Sequence, residues 1–502
     1  MRVVLFAFGV LLLLTGACTA DNTSADELYA AGINAYLNGS YEHAGDLFNQ
    51  SMLVYDLRGD ADNARKAFGM RNRASWILIE MMLNRTQAEE VLAQGLSELS
   101  EAERSNILKP GESIQTESDG QTRYFYDVAN NAAYHNTTIM QEISRKANHS
   151  PFFDEVFPLI TNNTSFDGWY GNPHTFIANS SISLPRELLP ANGTLKVWVP
   201  LPIKTDSQKD IRILNLQPEQ YIVSGPVTDG DLGQVYYEIP LSEMDGPFIN
   251  ISADYEFTTS ERRFIIDQNS IAPYDTSSDL YRDYTQTQPN IEVNPGIKNI
   301  SRSIIGDEQN PYRKARLIYD YIIRTYPYST VPHTYLVGSQ TPESTYMFDT
   351  GFGDCGTQSM LFAALCRAAG IPARSAGGYQ LAPGLAGPHF WAEFYLPGYG
   401  WIPADVTIAE SADWAFDKSD ADREKFKDYY FGNMDPYRYT IQNDVDISFT
   451  PDPGNDIIMN MVHQTPALVC HESREDIEML GMQYWNITLS EVGQPGRADM
   501  TE

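Results

Sequence analysis

The pattern of hydrophobic and polar positions changes twice along the 502-residue chain. Up to about residue 150, apolar residues recur at helical spacing behind the capping box Ser24-Ala-Asp-Glu27. Apolar and polar residues then alternate, for example at 195–199 and 249–257, as they do in half-buried strands. Helical spacing returns at 311–326. The sequence therefore predicts a multidomain α+β protein whose central part, 175–265, is an antiparallel, β-sandwich-like domain.

The first helical region contains small and apolar residues at regular offsets. These are Leu28, Gly32, Gly39, Tyr41, Ala44, Phe48 and Ser51. The set resembles one tetratricopeptide repeat, a helix pair whose small residues allow close packing. We expect α-helical, tetratricopeptide-like hairpins over residues 21–165. Either these hairpins only pack on the neighbouring domain, which we favour, or they form a groove for a protein partner.

Length and charge exclude several classes of protein. A chain of 502 residues predicts about three domains. The 35 basic and 66 acidic residues give a net charge of -31, which repels phosphate backbones, so we predict no nucleic-acid partner. The four cysteines are too few for a disulfide scaffold. His333, His463 and His471 lack the spacing of a metal site, and we predict neither a metal nor a cofactor.

The N-terminus has the features of an export signal. Arg2 precedes the apolar run 3–14, which is too short to span a bilayer, and small residues lead to Cys18. This end resembles the lipobox of prokaryotic lipoproteins, in which such a cysteine carries the lipid. We predict a signal peptide with lipobox over 1–20 and an exported protein at the extracytoplasmic membrane face, anchored through lipidated Cys18, with an archaeal origin favoured. Simple cleavage and retention as an uncleaved anchor are the alternatives.

Thirteen Asn-x-Ser/Thr triplets are spread along the chain. Their number suits a glycosylated, exported surface. Because the chain is rich in Asn, Ser and Thr, chance accounts for part of this number.

Cys355 is the strongest candidate for a reactive residue. The stretch Gly351-Phe-Gly-Asp-Cys355-Gly is followed by apolar residues along one helical face, so Cys355 opens a helix. Unpaired N–H groups at a helix start favour thiolate over thiol and can bind an oxyanion, so we expect a lowered pKa for Cys355. Cys366 lies within the same helix among apolar residues, as an inert core cysteine does.

Two further residues complete the set that acyl transfer requires. His389 lies on an alternating segment, and a Pro-Gly-Tyr-Gly turn at 397–400 returns the chain to Asp405. Acyl transfer through a thioester requires a thiolate, an imidazole to move the proton and a carboxylate to orient the imidazole. Cys355, His389 and Asp405 are therefore the predicted catalytic residues.

These residues belong to a longer set of motifs. The set comprises Gly-Asp-Cys355, Leu365 to Arg374, Gly377-Gly-Tyr379, His389-Phe-Trp-Ala-Glu393, Gly400 to Thr407, and Tyr430 to Asp435 with Arg438. It resembles the transglutaminase-like superfamily. The resemblance implies a papain-like α+β core over 270–440, with the cysteine on a helix and the histidine and aspartate on strands, followed by a β extension over 441–502. It also implies an upstream side chain that completes the oxyanion hole, for which Tyr326 and Tyr328 are the nearest candidates.

Three functions are open at this point. The leading hypothesis is a cell-surface cysteine hydrolase or peptidase acting on a protein or peptide substrate. A cross-linking amidotransferase would share its thioester chemistry, because only the acyl acceptor differs. A non-catalytic envelope binding protein with an idle core is the third.

Overall fold

The structure is a computed structural model that describes residues 24–146, 151–161, 166, 168–382, 385–415, 417–454, 456, 458 and 463–493. The predicted signal peptide and Cys18 lie outside these residues, so lipidation stays a prediction. Within the described residues, no helix combines the length and apolar character needed to cross a membrane.

The N-terminal region is helical, as predicted. Its helices are α1 (Ala25–Leu37), α2 (Tyr41–Leu57), α3 (Ala61–Glu80), α4 (Arg85–Gly95), α5 (Glu101–Ile107), α6 (Val128–Tyr134), α7 (Thr137–Lys146) and α8 (Pro151–Thr161), with a hairpin of β1 (Gln115–Ser118) and β2 (Gln121–Tyr124) between α5 and α6. The predicted capping box forms at Ser24. A Cβ on Gly32 would lie 2.7 Å from the Phe48 ring, so α1 and α2 approach closely there. The assignment to tetratricopeptide repeats stays a prediction.

The central region consists of antiparallel strands in two sheets. The strands are β3 (Tyr170–Pro185), β4 (Thr194–Pro200), β5 (Gln208–Gln217), β6 (Ile222–Val227), β7 (Gln234–Pro240) and β8 (Phe248–Arg263). Alternate residues of β8 are buried, including Ile249, Ile251 and Tyr255, which is the pattern that the sequence predicted. Residues of both sheets belong to one hydrophobic core, and the sandwich arrangement stays a prediction.

A mixed core follows the central region. Its helices are α9 (Asp279–Thr285), α10 (Pro295–Ile305), α11 (Pro311–Thr325), α12 (His333–Ser339), α13 (Glu343–Thr350), α14 (Cys355–Ala368), α15 (Val406–Ser411) and α16 (Asp420–Tyr429). Its strands are β9 (Ala373–Ala382), β10 (Leu385–Leu396), β11 (Gly400–Ala404), β12 (Asn433–Met434) and β13 (Arg438–Gln442). The antiparallel sheet has the order β11-β10-β9-β13, and α14 packs against β9 and β10.

The last part of the chain returns to the central region. It contains β14 (Ala467–Val469), α17 (Glu478–Gln483) and β15 (Trp485–Glu491). β14 pairs with β4 and β15 pairs with β3, while the short β12 pairs with β8. The two central sheets are thus completed by strands from later in the chain. The exact domain boundaries stay predictions.

The helical region contacts the core next to α12. The Tyr36 hydroxyl donates to the carbonyl of Gly338, and the Thr334 hydroxyl donates to the carbonyl of Trp76 at 3.3 Å. The Trp76 indole N–H donates to Asp476 Oδ2 at 2.5 Å, which ties α3 to the C-terminal part of the chain. Three separate parts of the sequence therefore meet around α12.

Candidate active site

Cys355 is the first residue of the buried helix α14, as the sequence predicted. Asp354 is the N-cap: its Oδ1 accepts the Thr357 N–H at 3.0 Å, and the Thr357 hydroxyl accepts the Asp354 N–H at 2.9 Å. This reciprocal cap fixes where the helix begins. The Cys355 side chain is partly exposed, whereas Cys366 on the same helix is fully buried in the hydrophobic core.

His389 and Asp405 come together through the predicted hairpin. β10 and β11 pair antiparallel with Ala392 opposite Ala404, and His389 Nε2 lies 2.8 Å from Asp405 Oδ2. Both residues are buried. The expectation of a strand position for Asp405 needs correction, because this residue follows β11 and caps α15, with Oδ1 accepting the Ile408 N–H at 3.0 Å.

Arg438 provides a second cation for Asp405. Its Nη1 lies 2.9 Å from Asp405 Oδ2 in an ion pair without hydrogen-bond alignment, and its Nη2 donates to Asp435 Oδ2 at 2.7 Å. Burial raises the pKa of Asp405, but His389 and Arg438 together lower it further than burial raises it. Asp405 is therefore held as a carboxylate. Sequence reasoning noted Asp435 and Arg438 in the motif set but assigned them no contact with the site.

The Cys355 sulfur lies beside the strand that carries His389. The main-chain N–H groups of Phe390 and Gly356 interact with the sulfur and lower its pKa. Burial has the largest effect on the thiol and raises its pKa, and the Asp354 carboxylate raises it further. The net pKa of Cys355 is raised, so the expectation of a lowered value is wrong. Thiolate formation at neutral pH therefore depends on a base that accepts the proton.

A cleft of about 330 Å³ opens at Cys355. Its lining consists of Glu80, Tyr328, His333, Thr334, Val337, Asp354, Cys355, Gly356, Pro388, Phe390, Gln464, Thr465, Ala467, Glu478 and Met482. Glu80 comes from the helical region, and Gln464 to Met482 come from the C-terminal part. The Gln464 side chain donates to the carbonyl of Gly378 at 2.9 Å, which holds this wall against the core sheet. No local sequence pattern predicts either of these two walls of the cleft.

Tyr328 and Tyr326 are placed differently. Tyr328 lines the cleft, its ring packs against Tyr134 at 4.7 Å, and its N–H donates to Glu410 Oε1 at 2.6 Å. Burial and the neighbouring Cys355 raise the pKa of Tyr328 well above its ordinary value, so the hydroxyl keeps its proton. Tyr326 instead packs against Tyr321 in the core, outside the cleft lining.

His333 also lies at the cleft, although the sequence analysis considered it only as a possible metal ligand. Its ring contacts two carboxylates, Glu343 on α13 and Asp354 at the start of α14. The sequence signal for this role was Asp354 next to Cys355, because a carboxylate beside a reactive thiol indicates a nearby cation that offsets its charge. No cluster of three or more potential metal ligands occurs within the described ranges.

A cysteine at the start of a helix that packs on a sheet, with a histidine on that sheet and an aspartate paired to the histidine, is an arrangement suited to thiol-dependent acyl transfer. Residues 298–406 match the family model of the transglutaminase-like superfamily, so the chain contains a domain of this superfamily. The predicted family is thus confirmed for this domain. A domain of this superfamily supports a cysteine-dependent hydrolase or transferase.

Several known proteins are similar to this chain. An uncharacterised protein of Haemophilus influenzae is 25% identical, over 52% of this chain and 78% of that protein. The uncharacterised protein YebA of Bacillus subtilis is also 25% identical, over 36% of this chain and 27% of YebA, so the match spans about a quarter of YebA.

Two solved structures also resemble the chain. A proposed cysteine protease from Cytophaga hutchinsonii aligns with a TM-score of 0.41 and 17% identity, over 66% of this chain and 94% of that one. The periplasmic domain of TgpA from Pseudomonas aeruginosa aligns with a TM-score of 0.25 and 14% identity, over 50% of this chain and 98% of that one.

Proposed function

We propose that the protein is a cysteine hydrolase that cleaves amide bonds of a peptide or protein substrate through a thioester on Cys355. The observation that carries this proposal is the pairing of His389 with buried Asp405 on a hairpin next to the start of α14. The cleft at Cys355 supports it, because a substrate needs a concave site that reaches the sulfur.

In this proposal the first proton transfer runs from the Cys355 thiol to His389. Because His389 Nε2 faces Asp405, Nδ1 is the ring nitrogen that would accept this proton. The thiol proton moves to Nδ1 as the sulfur attacks the acyl carbon and the carbonyl oxygen becomes an oxyanion. Because burial raises the thiol pKa, this transfer accompanies attack and does not precede it.

The later steps use the same groups. The main-chain N–H groups at the start of α14 and the Tyr328 hydroxyl can donate to the oxyanion. Collapse of the intermediate breaks the C–N bond, and His389 gives its proton to the leaving amine. Water then attacks the thioester and loses a proton to His389, which releases the carboxylate product and restores the thiol.

Thiol alkylation tests the activated cysteine. Burial alone would slow labelling of Cys355 because it raises the thiol pKa, but in this proposal His389 accepts the thiol proton during attack. We therefore expect iodoacetamide to label Cys355 faster at pH 7 than a thiol without such a base, and His389→Ala to slow this labelling. Peptide mass spectrometry locates the label, and Cys366→Ala is the matched control because this residue is buried on the same helix. An ordinary rate in the native protein, unchanged in His389→Ala, would contradict the proposal and support the non-catalytic alternative.

A glutamine peptide with a labelled amine separates hydrolysis from transamidation. The hydrolase should either convert the glutamine into peptide-bound glutamate with release of ammonia or cut the main chain into two fragments, and Cys355→Ala should do neither. Incorporation of the labelled amine without either hydrolysis product would identify an amidotransferase instead.

We also propose that the protein acts outside the cytoplasm, attached to the membrane through Cys18. The support is the N-terminal sequence alone. Radiolabelled lipid precursor should enter the full-length chain and not a Cys18→Ser variant, and this variant should leave the membrane fraction. Equal labelling of both chains would refute the anchor.

A further inference from the structure

His333 connects two carboxylates at the edge of the cleft. Its Nδ1 lies 3.0 Å from Glu343 Oε1, and its Nε2 lies 2.7 Å from Asp354 Oδ2. The side chain of His333 is 31% exposed, whereas that of Glu343 is 1% exposed. The ring therefore stands between the buried Glu343 and the cleft into which Cys355 opens.

The groups that face His333 are mostly acidic. Glu343 lies on α13, Asp354 precedes α14, and Glu80 on α3 also interacts with the ring. Burial lowers the pKa of His333, but Glu343 and Asp354 together raise it by more, so it lies well above its ordinary value. The Tyr346 hydroxyl faces the same carboxylates and keeps its proton because burial raises its pKa. His333 is thus the cation among three carboxylic acids.

Asp354 has two roles that conflict. Its Oδ1 caps α14, which fixes the position of Cys355, and its negative charge next to the thiol opposes thiolate formation. The contact with His333 uses the other oxygen, Oδ2, so the cap remains intact while the charge is offset. A Cβ on Gly356 would lie 3.8 Å from His333 Cε1, so the ring reaches the first turn of α14.

We propose that His333 is a positioning residue for Cys355: it holds the capping carboxylate of Asp354 and offsets its charge beside the thiol. This inference rests on the proposed function, because it concerns how the nucleophile is activated. His333 contacts no reacting atom and acts through Asp354. A purely structural ion pair would stabilise the fold without changing the reactivity of Cys355.

The pH profile of Cys355 alkylation by iodoacetamide tests the proposal, since this reagent is uncharged. We expect His333→Asn to move the profile to higher pH and to slow labelling at pH 7 by about tenfold, which corresponds to one pKa unit. In an Asp354→Asn background, the same His333 substitution should produce a much smaller change, because the charge that His333 offsets is gone. Asn is a good N-cap, so α14 keeps its start.

Two further variants make the test specific. Glu343→Gln removes the second carboxylate that keeps His333 protonated, so we expect the pH profile to move in the same direction as in His333→Asn. If His333→Asn does not fold, Glu343→Gln takes its place in the test. His174→Asn is the matched control. His174 on β3 has its Nδ1 2.6 Å from Oε1 of Glu491 on β15 and lies outside the cleft lining, so this substitution should leave the profile unchanged.

Three results would overturn the proposal. The first is an unchanged pH profile of Cys355 alkylation in folded His333→Asn. The second is a His333→Asn shift of the same size with Asp354 and in the Asp354→Asn background. The third is a shift in His174→Asn as large as that in His333→Asn. The His389→Ala profile separates this failure from failure of the proposed function. If His389→Ala alters labelling while His333→Asn does not, only the role of His333 is refuted. If neither variant alters it, both inferences fail.

Discussion

Glu393 gives the sharpest quantitative prediction. This residue of β10 accepts from the Arg374 Nε and Nη2 atoms at 2.8 and 2.6 Å, and it also accepts from Arg262 Nη1. Arg374 lies opposite Glu393 on β9, whereas Arg262 belongs to β8 of the central region. All three side chains are buried or nearly so. One carboxylate thus connects the core sheet to the central β region.

The contribution of Glu393 to the free energy of unfolding follows from its pKa. Burial raises this pKa, but Arg374 and Arg262 lower it by more, to about 2 from the ordinary value of 4.5. At about 1.4 kcal/mol per pKa unit, this difference stabilises the folded state by about 3 kcal/mol. Because the folded pKa is depressed, this stability is present above pH 4.5 and is lost as the pH falls through about 2. Glu393→Gln also leaves two guanidinium groups without a counter-charge, for a total loss of about 3–5 kcal/mol.

Urea denaturation at pH 7 and pH 2 measures this loss. The variant should unfold at lower urea concentration than the native protein at pH 7, and the difference should shrink at pH 2. The control is Glu89→Gln, which removes an exposed i,i+4 pair with Arg85 and should change stability by less than about 0.5 kcal/mol. A loss below about 1 kcal/mol in Glu393→Gln, or a loss equal at both pH values, would refute the argument.

Three further predictions concern the core. Asp405→Asn should reduce kcat/KM for an amide substrate by roughly 100- to 10 000-fold, since the imidazole loses its orienting carboxylate; a loss below tenfold would exclude that role. Gly378→Ala should lower the melting temperature, because its Cβ would lie 1.8 Å from the Tyr439 carbonyl oxygen, whereas Gly387→Ala meets nothing within 4 Å and should leave it unchanged. Equal melting temperatures would contradict this. Burial raises the pKa of Glu410 to about 8 from 4.5, so the native protein should lose stability as pH rises through about 8, while Glu410→Gln should not; parallel melting curves from pH 6 to 9.5 would contradict this.

The central features of the candidate site could be predicted because they depend on short-range geometry. A capping residue at Asp354 determines where a helix begins, and a tight turn determines how far a hairpin carries Asp405 back along β10. Both relations hold within about 20 residues of sequence. The alternation of β8 was readable for the same reason, since neighbouring residues of a strand face opposite sides.

The remaining features depend on contacts between distant parts of the chain. Glu80 and Gln464 enter the cleft from opposite ends of the sequence, and no local pattern brings them together. The prediction of a lowered pKa for Cys355 was wrong for a related reason. The helix start is a local feature, but the burial that raises the pKa depends on all surrounding elements. His333 and Asp354 are 21 residues apart, and only the packing of α12 against α14 shows that they are partners.

The cleft wall formed by the C-terminal part has a consequence for biosynthesis. Gln464 follows Cys355 by about 110 residues, and translation adds roughly 5–20 residues per second. Cys355 is therefore synthesised about 5–20 seconds before the segment that completes the cleft beside it. From the addition of Asp405 to the end of that interval, the nascent chain carries Cys355, His389 and Asp405 without a complete cleft. The order of synthesis thus delays the complete cleft until the late strands have paired with β3 and β4.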